Sequence, residues 1–241
     1  MRGITTLILL LTTLQIFGQS FEGTLVYKVD FEFHISDKMA KMGVTNEMLK
    51  ERMIREGSST DSLKMCFKQG DYISYTNFNP QSWSIYKQQN NKLYSFQNGE
   101  ASDICTVTDV SFDSEFQLTG IKPTITKLDT LVVINGIKCE IVRVKWKSGT
   151  YDYYFNSTFL KVDNKLFENH HYDGWAEFLA ISNSLPVKIV KTVKGLTVVT
   201  LTLIRNKAET IDSNLFLIPT LIEDKDLNIM KFTNRELFRI K

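Results

Sequence analysis

Apolar and polar residues alternate with a period of two in many segments of this chain, and this alternation constrains the fold more than any other feature. In the first such segment the apolar side holds Leu25, Tyr27, Val29, Phe31 and Phe33. The opposite side holds Thr24, Lys28, Asp30 and Glu32. A period of two is typical of a half-buried β-strand. Residues 24–33 are therefore predicted to form the first strand of a sheet.

A β-hairpin around Asn135 and Gly136 is the strongest local signal. Segments suited to strands, 130–134 and 137–146, lie on either side of this pair. The Asn-Gly pair accepts the positive φ values that a type I′ turn requires. The sequence therefore predicts two antiparallel strands joined by a two-residue turn.

Other turn residues divide the chain between 63 and 205 into further strands. The predicted turns lie at 69–71, 89–91, 98–99 and 148–149, and later strands are predicted at 150–155, 187–194 and 196–205. The segments at 162–167 and 175–181 have helical or irregular character instead. The pattern favours an α+β fold, in which a meander of antiparallel strands carries a few short helices.

A polar, methionine-bearing segment interrupts the strands between Ser36 and Gly57. Its helix formers predict helical structure that stops at Gly57. Gly43 favours a break and Thr45 is a suitable cap, so two short helices fit the segment as well as one. The methionines are Met39, Met42, Met48 and Met53. Such flexible side chains serve adaptable binding surfaces, although ordinary packing of an amphipathic helix is the commoner reason for the pattern.

The first 20 residues have the layout of a secretory signal peptide. Arg2 provides a short positive end, an apolar core follows, and the small residues Gly18 and Ser20 close it. Cleavage after Gly18 and cleavage after Ser20 fit the pattern equally. The core is shorter than the roughly 20 residues that span a bilayer, which leaves an uncleaved anchor as the weaker alternative. We therefore expect export to the periplasm or the extracellular space.

Composition predicts a single domain over residues 21–241. Hydrophobic residues make up 43% of the chain, enough for one sizeable core, and its four prolines mark no linker. The 29 basic and 27 acidic residues are scattered along the sequence. Because no basic stripe is visible, we expect no nucleic-acid partner. We also expect no transmembrane segment in the mature chain.

Three cysteines, Cys66, Cys105 and Cys139, lie tens of residues apart. Their spacing matches neither a metal knuckle nor a CxxC redox pair. Buried strand cysteines are the favoured interpretation. A single disulfide is the second, and its three possible pairings stay open.

Residues of the kind that ligate metals cluster only at Glu168, His170, His171 and Asp173. The HExxH spacing that places two histidines on one helical face is missing, so a solvated loop is favoured over a metal site. Neither a GxSxG elbow nor a Gly-rich phosphate loop occurs. The sequence therefore predicts no enzyme, no metal and no cofactor.

Five segments together resemble a group of exported Bacteroidetes proteins of unknown function, related to the proteins named for a GLPGLI sequence. The segments are FEGT at 21–24, INGIKC at 134–139, YDYYF at 151–155, LPVKI at 185–189 and IDSNLFLIP at 211–219. The sequence SLPV at 184–187 keeps the Leu-Pro pair but lacks both glycines of GLPGLI. The resemblance is therefore to the looser branch of this group.

This resemblance implies a curved, half-barrel-like antiparallel sheet with helices on its concave side, similar to the LolA and LppX-like lipoprotein carriers. It implies no catalytic residues. Asp61-Ser62-Leu63 and Asp129-Thr130-Leu131 resemble O-glycosylation acceptors of the same phylum. Whether Ser62 or Thr130 is modified stays open.

Two functions follow as hypotheses. The first is a binding module that holds a lipid, an acylated protein or another apolar ligand between the sheet and the methionine-bearing helices. Its candidate ligand-binding residues are Tyr27, Val29, Phe31, Met42, Leu49 and Met53. The alternative is a structural or interaction protein of the cell envelope, which exposed aromatic side chains among Tyr75, Phe78, Trp83 and Tyr86 would favour.

Overall fold

The computed structural model describes residues 20–56, 60–77, 81–227 and 234–241. Within these ranges, thirteen strands form one antiparallel sheet, which is curved and does not close into a barrel. A few short helices accompany it, so the predicted fold class is confirmed. The predicted signal sequence up to Gln19, the helix stop at Gly57 and Phe78 lie outside the described residues.

Strand β1 (Gly23–Phe33) lies inside the sheet and joins its two halves. On one side it pairs with β2 (Ser62–Lys68), where Leu25 lies opposite Met65. On the other side it pairs along its whole length with β11 (Thr197–Ala208). Each neighbour belongs to a meander of consecutive strands, so β1 connects two meanders that are otherwise built separately.

The first half of the sheet continues outward from β2 as a meander and ends in two strands from the C-terminal region. In sheet order the further strands are β3 (Asp71–Thr76), β4 (Ser82–Lys87), β5 (Lys92–Gln97), β6 (Ile104–Asp109), β13 (Arg235–Ile240) and β12 (Leu221–Glu223). Gln69 and Gly70 adopt φ values of 50° and 88° between β2 and β3. The turn predicted at this point is therefore confirmed.

The second half is the meander that leads back to β11. Its strands are β7 (Thr124–Ile134), β8 (Ile137–Lys145), β9 (Gly149–Phe155) and β10 (Lys188–Val193). Asn135 and Gly136 have φ values of 50° and 81°, as the predicted hairpin requires. Strand β7 forms the outer edge, and its pairing with β8 is interrupted by a register shift between Leu128 and Val132.

Two helices, α1 (Asp37–Lys41) and α2 (Asn46–Arg55), follow β1. The side-chain oxygens of Ser36 and Thr45 accept hydrogen bonds from backbone N–H groups three residues ahead. Gly43, at a φ of 78°, separates the helices. The segment therefore forms two helices, which decides between the two possibilities that its sequence left open.

Two further helices are α3 (Ser114–Thr119) and α4 (Trp175–Ser182). Helix α3 was not predicted, although Asp113 caps its start and Gly120 ends it with a φ of 69°. Helical structure was predicted at 162–181, and α4 and two 3₁₀ turns, Asn164–Phe167 and Tyr172–Gly174, confirm it.

The inner face of the sheet is the face that carries Leu25, Tyr27 and Val29. Residues 156–187, which contain α4, cover it and form the larger hydrophobic core. There Phe178 stacks on Tyr153 of β9 with ring centroids 4.5 Å apart. Because Leu25 and Tyr27 are almost fully buried, β1 supplies the middle of this core.

On the outer face, the C-terminal segment covers the first half of the sheet. Ile211 and Phe216 of the C-terminal segment pack there against Ile73, Ile85 and Phe96. The cysteines lie in strands β2, β6 and β8, and all three are buried and free. The favoured interpretation of them as buried strand cysteines is therefore confirmed.

Among the described residues, no helix combines the length and the apolar character needed to cross a membrane.

We expect that Leu25→Ala will lower the free energy of unfolding by about 2–5 kcal/mol, because it leaves a cavity where β1 meets the core. Leu131→Ala is the matched control, since Leu131 is 72% exposed on the edge strand. Its effect should stay within about 0.5 kcal/mol. Urea unfolding followed by circular dichroism measures both. Equal losses in the two variants would contradict the central position of β1.

Candidate functional site

The residues predicted to bind a ligand fall into two groups, one on β1 and one on α1 and α2. Tyr27 and Val29 are buried on the inner face, and Phe31 is partly buried near the end of β1. Met42 lies at the end of α1 and is 67% exposed. Leu49 and Met53 lie on α2 and are partly exposed.

A hydrogen bond attaches α2 to the end of β1. The Asn46 side chain accepts it from the backbone N–H of Phe33, the last residue of β1. Neither α1 nor α2 contains a buried residue. Among the described residues, Met42, Leu49 and Met53 do not line the cavity that Tyr27 lines.

A cavity of about 190 Å³, the central cavity, lies between the inner face and residues 170–175. Its aromatic lining consists of Tyr27, Tyr72, Tyr153, Tyr172 and Trp175, and its aliphatic lining consists of Leu63, Met65, Leu93, Ile189 and Leu201. The polar groups are Ser74, Ser84, His170, Asp173 and Lys191. Of the predicted binding residues, Tyr27 alone is part of this lining.

Backbone hydrogen bonds hold the segment that closes the central cavity. The N–H groups of His171 and Tyr172 both donate to the carbonyl oxygen of Val110, at 2.8 and 3.2 Å. Gly174 has a φ of 69°, and a Cβ atom there would lie 2.7 Å from Cγ1 of Val144. Only glycine fits this position, so the sequence fixes how closely the segment approaches the sheet.

His170 is the buried polar centre of the cavity. Its Nε2 atom lies 2.9 Å from the Tyr72 hydroxyl, and its ring centroid lies 4.6 Å from that of Tyr86. Burial lowers the pKa of His170 from 6.5 to about 4. The imidazole is therefore neutral at pH 7. Its Nδ1 atom is buried and has no hydrogen-bond partner among the described residues.

Asp173 and Lys191 form an ion pair at one end of the cavity, with an Nζ to Oδ2 distance of 2.7 Å. Burial alone would lower the pKa of Lys191, but the Asp173 carboxylate raises it above its usual value. Asp173 has a φ of 61°, which is unusual for a residue other than glycine. Its backbone carbonyl accepts a hydrogen bond from the Tyr153 hydroxyl at 2.6 Å.

These protonation states make the central cavity suited to binding. Burial raises the pKa values of Tyr72 and Tyr153, so both phenols keep their protons at pH 7. With a neutral imidazole and one compensated ion pair, the lining presents mainly apolar and aromatic surface. Such a surface binds apolar groups, and its few polar groups can orient them.

The prediction of a solvated loop at the histidine cluster is wrong for His170, which is 3% exposed. His170 points into the core, whereas Nδ1 of His171 lies 2.7 Å from Oε1 of Glu177. Glu168 is exposed. Within the part of the chain that the structure describes, no three His, Cys, Asp or Glu side chains are placed to hold a metal ion.

Most of the lining of this cavity was not predicted from the sequence. Tyr72, Tyr153 and Lys191 come from three different strands, and their apolar neighbours Ile73, Tyr154 and Val190 obscure the alternation that would place them on the inner face. Trp175 begins α4, within a segment that was expected to be a crossing. A weak signal was available in Tyr151 and Tyr153, which share one face of a predicted strand.

Comparison with known proteins identifies no family. No family model and no curated protein matches the chain. Structures of PNGF-II in the P21 and C2 space groups align with TM-scores of 0.40 and 0.41 and identities of 11% and 12%. The alignments cover 81% and 80% of this chain but only 30% and 29% of that chain. Similarity at this level carries no inference about activity.

The buried imidazole predicts a specific pH dependence of stability. Because the pKa of folded His170 is about 4 and its ordinary value is 6.5, the unfolded chain gains a proton between these pH values while the folded chain does not. Between pH 6.5 and 4, the unfolding free energy of the wild type should therefore fall by about 3 kcal/mol more than that of His170→Gln. Urea titrations of each protein across this range measure the difference.

His34→Gln is the control, because it removes an exposed histidine and keeps the buried His170, so it should retain the fall in stability that His170→Gln loses. The comparison is made within each variant, so a constant loss of stability in His170→Gln does not affect it. If the unfolding free energy of His170→Gln changed with pH as steeply as that of the wild type, this would contradict the burial of a neutral imidazole.

Proposed function

We propose that this protein is an exported, non-enzymatic binding protein of the cell envelope that holds an apolar group in the central cavity. The observation that carries the proposal is the composition of the lining, in which ten aromatic and aliphatic side chains surround one buried imidazole and one ion pair. Such a cavity favours apolar ligands and excludes isolated charges.

The size of the cavity limits the ligand. Drug-sized molecules occupy pockets of about 300–1,000 Å³, whereas a cavity of about 150 Å³ holds benzene. At about 190 Å³, the central cavity accepts one ring or a short alkyl chain. The proposed ligand is therefore a small apolar molecule, or the end of the acyl chain of a lipid or an acylated protein.

Export and location belong to the same proposal. The signal-peptide pattern at residues 1–20 supports secretion, and the resemblance to LolA and LppX-like carriers supports a periplasmic or extracellular role. The curved sheet is compatible with that resemblance. Membership in the GLPGLI-related group is likewise proposed from the sequence segments that carry it.

A structural or interaction protein is the second candidate, and the positions of its aromatic residues weigh against it. Tyr86 is fully buried. Tyr75 and Trp83 are partly buried beneath the C-terminal segment on the outer face. The aromatic surface that would favour a binding partner on this face is therefore largely occupied by the chain itself.

Benzene tests the central cavity. We expect benzene-saturated buffer to raise the melting temperature of the protein, because a ligand that binds only the folded state stabilises it. Leu201→Phe should abolish this shift by filling the cavity with a ring. Met42→Phe is the control and should keep the shift, since Met42 lies outside the lining. No shift in the wild type, or an equal shift in Leu201→Phe, would contradict the proposal.

Export predicts a mature N-terminus at Gln19 or Phe21. Intact-mass measurement and N-terminal sequencing of protein recovered from the cell envelope or the medium test it. Material that retains Met1 in those fractions would contradict a cleaved signal peptide.

A further inference from the structure

A second cavity of about 180 Å³, the head cavity, lies beside the central cavity at one end of the sheet. Its walls include the rings of Trp146, Tyr151 and Tyr172 and the carboxyl groups of Asp113 and Glu115. Trp146 and Tyr151 meet edge to face, with ring centroids 4.8 Å apart. Three aromatic rings beside carboxylates are the usual surroundings of a bound organic ammonium ion.

The two cavities follow each other along the same strands. On β9, Tyr153 lines the central cavity and Tyr151 lines the head cavity. Alternate residues of a strand share a face and are about 7 Å apart, so these rings lie side by side on the inner face. Tyr172 and Asp173 line both cavities. The two cavities are therefore neighbours that share part of one wall.

Electrostatics favour a cation in the head cavity. Nε1 of Trp146 donates to Oδ2 of Asp113 at 2.8 Å, and backbone N–H groups donate to Glu115. Among the described residues, no ion pair involves Asp113 or Glu115. Burial, together with the charges of Asp173 and Glu115, raises the pKa of Asp113. A bound cation would relieve this repulsion.

The protein itself places an ammonium group against one of these rings. Nζ of Lys191 lies 4.8 Å from the ring centroid of Tyr151. Lys191 is paired with Asp173, so its charge is already compensated. The second cation, Arg235, is itself part of the lining of the head cavity; it is exposed and donates to the Tyr172 hydroxyl at 3.0 Å. Neither Lys191 nor Arg235 forms an ion pair with Asp113 or Glu115 among the described residues.

We propose that the ligand is an amphiphile with an organic ammonium head, which occupies the head cavity, and a short apolar tail, which occupies the central cavity. This inference rests on the proposed function for the tail and adds a separate site for the head. A carboxylate head would meet two uncompensated carboxylates, so anionic amphiphiles should bind more weakly.

The three tryptophans of the chain allow the two cavities to be tested separately. Trp146 lines the head cavity, Trp175 lines the central cavity, and Trp83 belongs to the core of the outer face. Single Trp→Phe variants assign the three indole N–H signals in a ¹H–¹⁵N spectrum. Tetramethylammonium should then shift the indole signal of Trp146, benzene should shift that of Trp175, and octyltrimethylammonium should shift both signals. The signal of Trp83 should not move.

Probes with one tail and different heads test the selectivity. Octyltrimethylammonium should bind at least about tenfold more tightly than octanoate or octyl glucoside, because cation–π contacts and the carboxylates act only on the ammonium head. Glu115→Gln should lower the affinity for octyltrimethylammonium at least about threefold and leave the affinity for benzene unchanged. Glu100→Gln is the matched control on the exposed surface and should change neither.

The outcomes separate this inference from the proposed function. Benzene binding without any response of Trp146 to tetramethylammonium would overturn the ammonium site and leave the apolar site standing. Responses of Trp146 and Trp175 to separate probes, but not together to octyltrimethylammonium, would overturn the amphiphile. Equal affinity for the three octyl compounds would overturn the head preference. If no probe shifted the signal of either Trp146 or Trp175, both proposals would be overturned.

Discussion

The pairing of β1 with β2 on one side and β11 on the other is the interaction on which the rest of the structure depends. Gly23 lies opposite both Phe67 and Ala208, so one strand of eleven residues connects the beginning of the chain to two distant regions. Each meander can form from neighbouring strands, and within the described sheet β1 is the strand that joins them. The central cavity requires both halves, because Tyr72 comes from one and Tyr153 from the other.

Local features of the fold could be predicted from the sequence, and the arrangement of its distant parts could not. The hairpin at Asn135 and Gly136 is determined by two adjacent residues and their φ values. The position of β1 between β2 and β11 depends on contacts across most of the chain, which periodicity does not encode. Helix α3 was missed because its signals, a capping Asp113 and a terminal Gly120, enclose only six residues. Strand β13 was missed because its polar residues resemble a solvated run.

In the candidate site, too, local features could be predicted from the sequence, whereas the arrangement of distant segments could not. The sequence correctly assigned Tyr27 and Val29 to one face of a strand, because alternation determines which residues share a face. It could not show which segment covers that face. The methionines predicted helices correctly, but these helices attach to the end of β1 through Asn46, and their methionines do not line the cavity. The covering segment is held instead by Val110 and Gly174, and neither residue has a sequence signature of binding.

The register shift in β7 has a consequence for self-association. Because the sheet does not close, β7 is an outer edge with which no further strand of the described residues pairs, and Leu131 and Val133 are exposed on it. A long, regular, apolar edge is a template for pairing with another chain and for aggregation. The irregularity between Leu128 and Val132 interrupts the regular ladder that an incoming strand would have to match. This edge is therefore a poorer template for a second molecule than an uninterrupted strand of eleven residues would be.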